Sequence, residues 1–172
     1  MDYKDRIDSD QGSLERLVRR IPGYKGYKDR ELSREADKLL RGEISAQLSQ
    51  QKERLLEVQR RLSRGGGLLL LGDLDLAVRR LETLADTVRT ATYGYSGLFD
   101  AINIREEELG AIYEHDSALL EQLPVLASAV DAVDVAVGDA AAVREASDRL
   151  LDTIADFRRK WDGRRDAIMA VS

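Results

Sequence analysis

Residues 32–62 read LSREADKLLRGEISAQLSQQKERLLEVQRRL, and in this stretch Leu32, Ala36, Leu39, Leu40, Ile44, Leu48, Leu55, Val58 and Leu62 return at steps of three or four. A helical turn takes about 3.6 residues, so this spacing stacks the apolar side chains on one stripe and turns the intervening charges away from it. The spacing predicts a helix from about Lys28 to Arg64, N-capped by Asp29, with Gly42 as its one weak point. At about 1.5 Å per residue such a helix is roughly 50 Å long. It can bury a narrow stripe of that length only against other long helices. The fold class expected is therefore all-α: an antiparallel up-down helical bundle with long amphipathic, coiled-coil-like helices.

The flanking sequence supplies those partners. Residues 1–12 are polar and are expected to be a flexible N-terminus, with 13–172 forming a single helical-bundle domain. A short helix is expected from Ser13 to Arg20, then a loop through Pro22, Gly23 and Gly26. Gly65-Gly66-Gly67 ends the long helix, and Asp73 is placed to cap the next, which carries Leu74, Ala77, Val78, Leu81, Leu84, Val88 and Ala91 as far as Thr92. A second Gly/Tyr loop, Tyr93 to Asp100, leads to an Asn103/Glu106 capping pair. The helix that follows carries Pro124 inside its apolar register, which predicts a kink or break near Leu123. Gly138-Asp139 reads as a tight turn, and Val143, Leu150, Ile154, Phe157, Trp161 and Ile168 form the stripe of the last helix. Basic residues from Arg158 to Arg165 crowd its end, where the helix dipole favours them.

Composition narrows the function classes. Net charge is −5, which argues against nucleic acid as a partner. There is no cysteine, so disulfides and thiolate sites are excluded and a reducing, cytoplasmic setting is expected. The longest apolar run, Leu68–Leu71, is far too short to cross a bilayer, so a membrane is expected to be met peripherally if at all. The single histidine, His115, has Ile112 three residues before it, which breaks the Glu-x-x-His pattern of di-iron bundles; no metal, cofactor or catalytic residue is expected.

The expected helix order gathers most aromatic residues at one end of the bundle, with Leu, Gly, Ala and Val at the other. Tyr24, Lys25, Tyr27, Tyr93, Tyr95 and Phe99 are the expected partner-binding contacts at this aromatic-basic end. Asp116 falls on the apolar stripe between Ile112 and Leu119, where a carboxylate must be paired or reach water. His115 lies beside it in the sequence. Arg105, Tyr24, Tyr27 and the arginines late in the last helix are its candidate partners.

Two segments, Ile-Pro-Gly-Tyr-Lys-Gly-Tyr-Lys-Asp-Arg-Glu-Leu from Ile21 and Tyr-Gly-Tyr-Ser-Gly-Leu-Phe-Asp-Ala from Tyr93, resemble a group of bacterial helical-bundle proteins with no established activity. The resemblance implies a structural class and carries no site residues. The function expected is that of a non-enzymatic interaction or scaffold protein binding a protein partner through the aromatic-basic end. Homo-oligomer formation is compatible with the helix stripes. Alternatives are peripheral membrane association through Leu68–Leu71 and small-molecule binding at Asp116, His115 and nearby tyrosines.

Overall fold

The stripe on the long helix is buried as its spacing requires: Ala36, Leu40, Ile44, Leu48, Leu55, Val58 and Leu62 are all in the core. The computed structural model describes residues 3–26, 30–65, 67–91 and 106–171. They form five helices, α1 (Tyr3–Arg20), α2 (Arg30–Arg64), α3 (Leu71–Thr90), α4 (Glu106–Val135) and α5 (Ala140–Val171), with one 3-10 turn at Leu68–Leu70 before α3. The all-α expectation holds, and there is no strand among the described residues. Asp29, Asn103, Tyr27, Tyr93, Tyr95, Phe99 and Arg105 lie outside the described residues.

Contacts between named side chains set the helix directions. Arg41 reaches the carbonyl of Arg89, and Lys52 meets Glu82 at 3.6 Å, so α2 and α3 run antiparallel. The carboxylate of Glu53, hydrogen-bonded to Lys52, holds the ammonium's pKa above its usual value, with smaller support from Glu82. Asp116 meets Arg164, and Gln122 accepts from Lys160 at 2.6 Å, so α4 and α5 are also antiparallel. By contrast, Arg54 pairs with Asp131 and Arg61 with Asp134, so α2 and α4 run in the same direction. α2 packs on α3 and α4, and α5 packs on α4 and α3, which leaves α3 diagonal to α4. The short-connection rule holds for the two hairpins. It does not govern α3 and α4, which a much longer stretch of chain separates. α1 lies on the outside of α4, where Arg16 donates to the hydroxyls of Ser13 and Ser117.

Several boundaries differ from the sequence expectation. α1 begins at Tyr3 rather than near Ser13, so residues 3–12 are helical. Their charged and amide residues lack an apolar stripe but are compatible with helix, so periodicity alone understates the helix. Asp73 is not an N-cap: the Leu68–Leu70 turn runs directly into α3, Leu70 takes the cap position, and Asp73 sits in the first turn. There its charge suits the helix dipole. Pro124 does not break α4, which is continuous from Glu106 to Val135. Its ring is on the exposed face of the helix.

The turn at Gly138-Asp139 is as expected. Gly138 has φ +117°, and Asp139 Oδ1 accepts from the amides of Ala141 and Ala142 at 2.9 and 3.1 Å, capping α5.

Candidate functional site

One end of the bundle is closed by ionised side chains taken wholly into the interior. Arg164 of α5 is fully buried; its Nε donates to Asp116 Oδ1 of α4 at 2.5 Å and its Nη2 to Asp37 Oδ1 of α2 at 2.9 Å. The second Asp37 oxygen accepts from Arg41 Nε at 2.7 Å, one turn further along α2. Arg41 in turn donates through Nη1 to the carbonyl of Arg89 at 2.7 Å, using an acceptor in the last turn of α3 that has no intrahelical partner. Two carboxylates and two guanidinium groups thus balance in charge and tie all four bundle helices together. The rigid guanidinium fork lets one side chain serve acids from two helices, which a lysine ammonium could not do with the same geometry. The Trp161 ring, one turn before Arg164, lies 5.4 Å from its guanidinium carbon and covers its apolar flank.

Asp116 is paired with one of the late arginines, as its place on the stripe required. His115 is half-buried, with its ring against Gly163 of α5. Arg105 lies outside the described residues. Asp116 is completely enclosed and charge-compensated, so a ligand cannot reach its carboxylate without opening the bundle.

The described part of the aromatic end is interior rather than surface. Tyr24, expected as a partner contact, is 3% exposed, and Tyr113, Phe157 and Trp161 are buried in the same core. Tyr24 lies just beyond the short turn at Ile21–Gly23, where Ile21 is itself buried, so the loop is anchored inward. Lys25 is exposed. Gly26 is held between α1 and α4 at φ +80°, and a Cβ there would stand 2.6 Å from the Tyr113 hydroxyl and 3.0 Å from Leu14 Cδ1. Gly26→Ala is therefore expected to lower stability by roughly 1–3 kcal/mol, from left-handed strain plus the clash. The check is a urea titration followed by circular dichroism, with Gly42→Ala, a helical position with open space around it, as the control.

The opposite end has the reverse character. Gly65 and Gly67 donate their amides to the carbonyls of Arg61 and Leu62, closing α2, and Gly67 sits so close to Leu62 that a side chain there would crowd it. The chain then presents four consecutive leucines, Leu68 to Leu71, with different fates. Leu70 is buried, while Leu68 is 64% and Leu69 91% exposed. Val135, at the end of α4, is 86% exposed. The Arg61–Asp134 pair places the ends of α2 and α4 side by side, and the 3-10 turn also touches α5. Two grooves open at this end. The one between α4 and α5, about 670 Å³, is lined by Ala132, Val135, Ala136 and Ala142 together with Asp131, Glu145 and Arg149, and both acids are paired, Asp131 with Arg54 and Glu145 with Arg149. The one between α2 and α3, about 600 Å³, is lined by Leu56, Leu71, Arg60 and Arg64.

The sequence does not single out Asp37 or Val135, and it offers Arg164 only as one of several late arginines that could pair with Asp116. No cluster of three or more metal-ligating side chains occurs among the described residues. None of the described helices is long and apolar enough to cross a membrane. No protein-family model matches this chain, and comparison with curated proteins and with solved structures finds no similar protein.

Proposed function

We propose that this bundle is a non-enzymatic interaction or scaffold protein whose contact surface is the leucine-bearing end. The observation that carries this reading is the exposure of Leu69, 91%, next to Leu68, 64%, on a framework whose other large apolar residues are mostly buried. A lone exposed apolar residue is ordinary on a soluble protein. Adjacent leucines held outward by a defined turn, beside an apolar groove, form a docking feature. The buried ion network supports the same reading from the other end, since it ties the helices together there and leaves its charged groups occupied. Tyr24 contributes to the core, and Tyr27, Tyr93, Tyr95 and Phe99 lie outside the described residues, so this reading takes its contact surface from the leucine end. A cysteine-free sequence suits a cytoplasmic protein.

The exposed Leu68–Leu69 pair also favours a second reading, shallow insertion into a lipid surface. Asp131 and Asp134 near this end are paired with Arg54 and Arg61, and Arg60 and Arg64 are exposed beside the turn, so its charge does not separate a lipid surface from a protein partner.

A photo-crosslinking amino acid placed at position 69, compared with one at the exposed position Glu82 on α3, tests the surface. Strong protein crosslinks from position 69 and few from position 82 are expected. Equal yields from both positions would remove the leucine end as the contact surface.

A further inference from the structure

We infer that α1 is a latch, which swings off α4 while α2 to α5 stay closed and so uncovers a row of α4 residues, Tyr113, Ser117 and Leu120. α4 buries one line, Ile112, Asp116, Leu119 and Leu123, in the bundle core. Its first half also buries this second line, one position further round the helix. Steps of four and three residues put Tyr113, Ser117 and Leu120 on a single face. Arg16 of α1 donates to the Ser117 hydroxyl at 3.0 Å, and Leu14 of α1 and Tyr113 close on the same Gly26, so this face looks toward α1. Where the line continues to Pro124, the face is exposed.

The hold on α1 differs in kind from the hold among the other helices. Among the described residues α1 packs on α4 alone, whereas each of α2 to α5 packs on at least two helices. The buried Asp37, Arg41, Asp116 and Arg164 network ties those four together and takes no group from α1. Among the described side chains of α1, Leu17 is the one apolar residue that is fully buried, and Leu14 is partly so. The polar ties come from Arg16, an exposed guanidinium that also meets the exposed Glu121 at 3.6 Å, and water replaces such contacts at little cost. Ser13 and Ser117 are both buried under that one guanidinium, and both hydroxyls hydrate when it leaves. The pivot is the Pro22-Gly23 turn, with Gly23 at φ +83° and with Ile21 and Tyr24 buried at its base. A segment held by few buried apolar contacts opens at a lower free energy than the body it rests on. The latch works independently of the leucine-bearing end.

The absence of cysteine lets an introduced thiol report the opening. Ser117→Cys places a thiol under α1, and Ser147→Cys places one at a buried position of α5. Both full-length variants, checked for the wild-type helical signal, are labelled with N-ethylmaleimide without denaturant. Ser117→Cys is expected to react at least about tenfold faster than Ser147→Cys. Adding Arg16→Ala is expected to speed the first about tenfold again and to leave the second unchanged. Equal rates for the two thiols, or an Arg16→Ala effect of the same size at both, overturn the inference, because α1 then opens only with the whole bundle. The unsubstituted chain gives a second measure, amide exchange in urea concentrations below the unfolding transition. Amides of residues 14–20 are expected to exchange through an opening that leaves 40–48 and 150–157 protected. Exchange of all three segments through one common opening overturns the inference as well.

Discussion

Arg164→Ala is expected to cost the fold about 3–5 kcal/mol, the usual penalty for removing one member of a buried ion network. The physical reason is asymmetric. The guanidinium is fully buried and contacts two carboxylates on two other helices, and truncation leaves Asp116 and Asp37 enclosed with less counter-charge. Arg41 still serves Asp37, so the larger part of the penalty falls on Asp116. Small domains are stable by only about 5–15 kcal/mol, so the variant is expected to lose much of its urea resistance. Two further variants separate charge from packing. Arg164→Lys retains a cation but loses the fork, and an intermediate loss is expected. Arg164→Met combined with Asp116→Asn removes one buried charge of each sign and leaves the Asp37–Arg41 pair in place, and it should recover most of the loss, because a matched pair of buried charges is replaced rather than broken. If Arg164→Met alone is as stable as the wild type, the network does not hold the bundle end.

Trp161→Ala is expected to be of comparable size, about 3–5 kcal/mol, by the cavity cost of deleting a large buried ring. The indole is 1% exposed and covers the Arg164 guanidinium, so its loss empties a volume and opens a path for water to the network. Trp161→Phe keeps part of the volume and should cost less. Because the two side chains touch, the effects of Trp161→Ala and Arg164→Ala should not add, and a coupling of roughly 0.5–3 kcal/mol is expected from the double-mutant cycle. Urea unfolding monitored at 222 nm measures both singles and the double. Strict additivity would show that the ring and the guanidinium act independently.

Much of this fold is legible in the sequence, because the apolar stripes are long and regular and the breaks between them carry glycine. The stripe residues from Leu40 to Leu62 and from Val143 to Trp161 were identified from spacing and are buried. The packing order of the helices was not legible. Spacing says which face of a helix is inward but not which neighbour it meets, and α3 and α4 prove to be diagonal.

The site was legible by half. Asp116 stands out because it interrupts a stripe, and its partner class, a late arginine, follows from burial. Asp37 and Arg164 carried the same signal in a fainter form. Asp37 continues the seven-residue line of Ile44, Gln51 and Val58, and Arg164 continues that of Val143, Leu150 and Phe157. Arg164 was hidden because four other basic residues near the helix end have a sufficient explanation in the dipole, and Asp37 because Ala36 beside it already filled the stripe. The different fates of Leu68, Leu69 and Leu70 could not be read from the sequence at all. They depend on the 3-10 turn, which points one leucine into the core and two away from it.

The most direct measurement is hydrogen–deuterium exchange along the chain. Segments around Asp37, Asp116 and Arg164 are expected to be strongly protected, because the buried charges tie those helices together. Residues 67–70, at the end that carries the exposed leucines, are expected to exchange much faster. Fast exchange around Asp116 and Arg164 together with slow exchange at 67–70 would contradict both the lock and the contact surface.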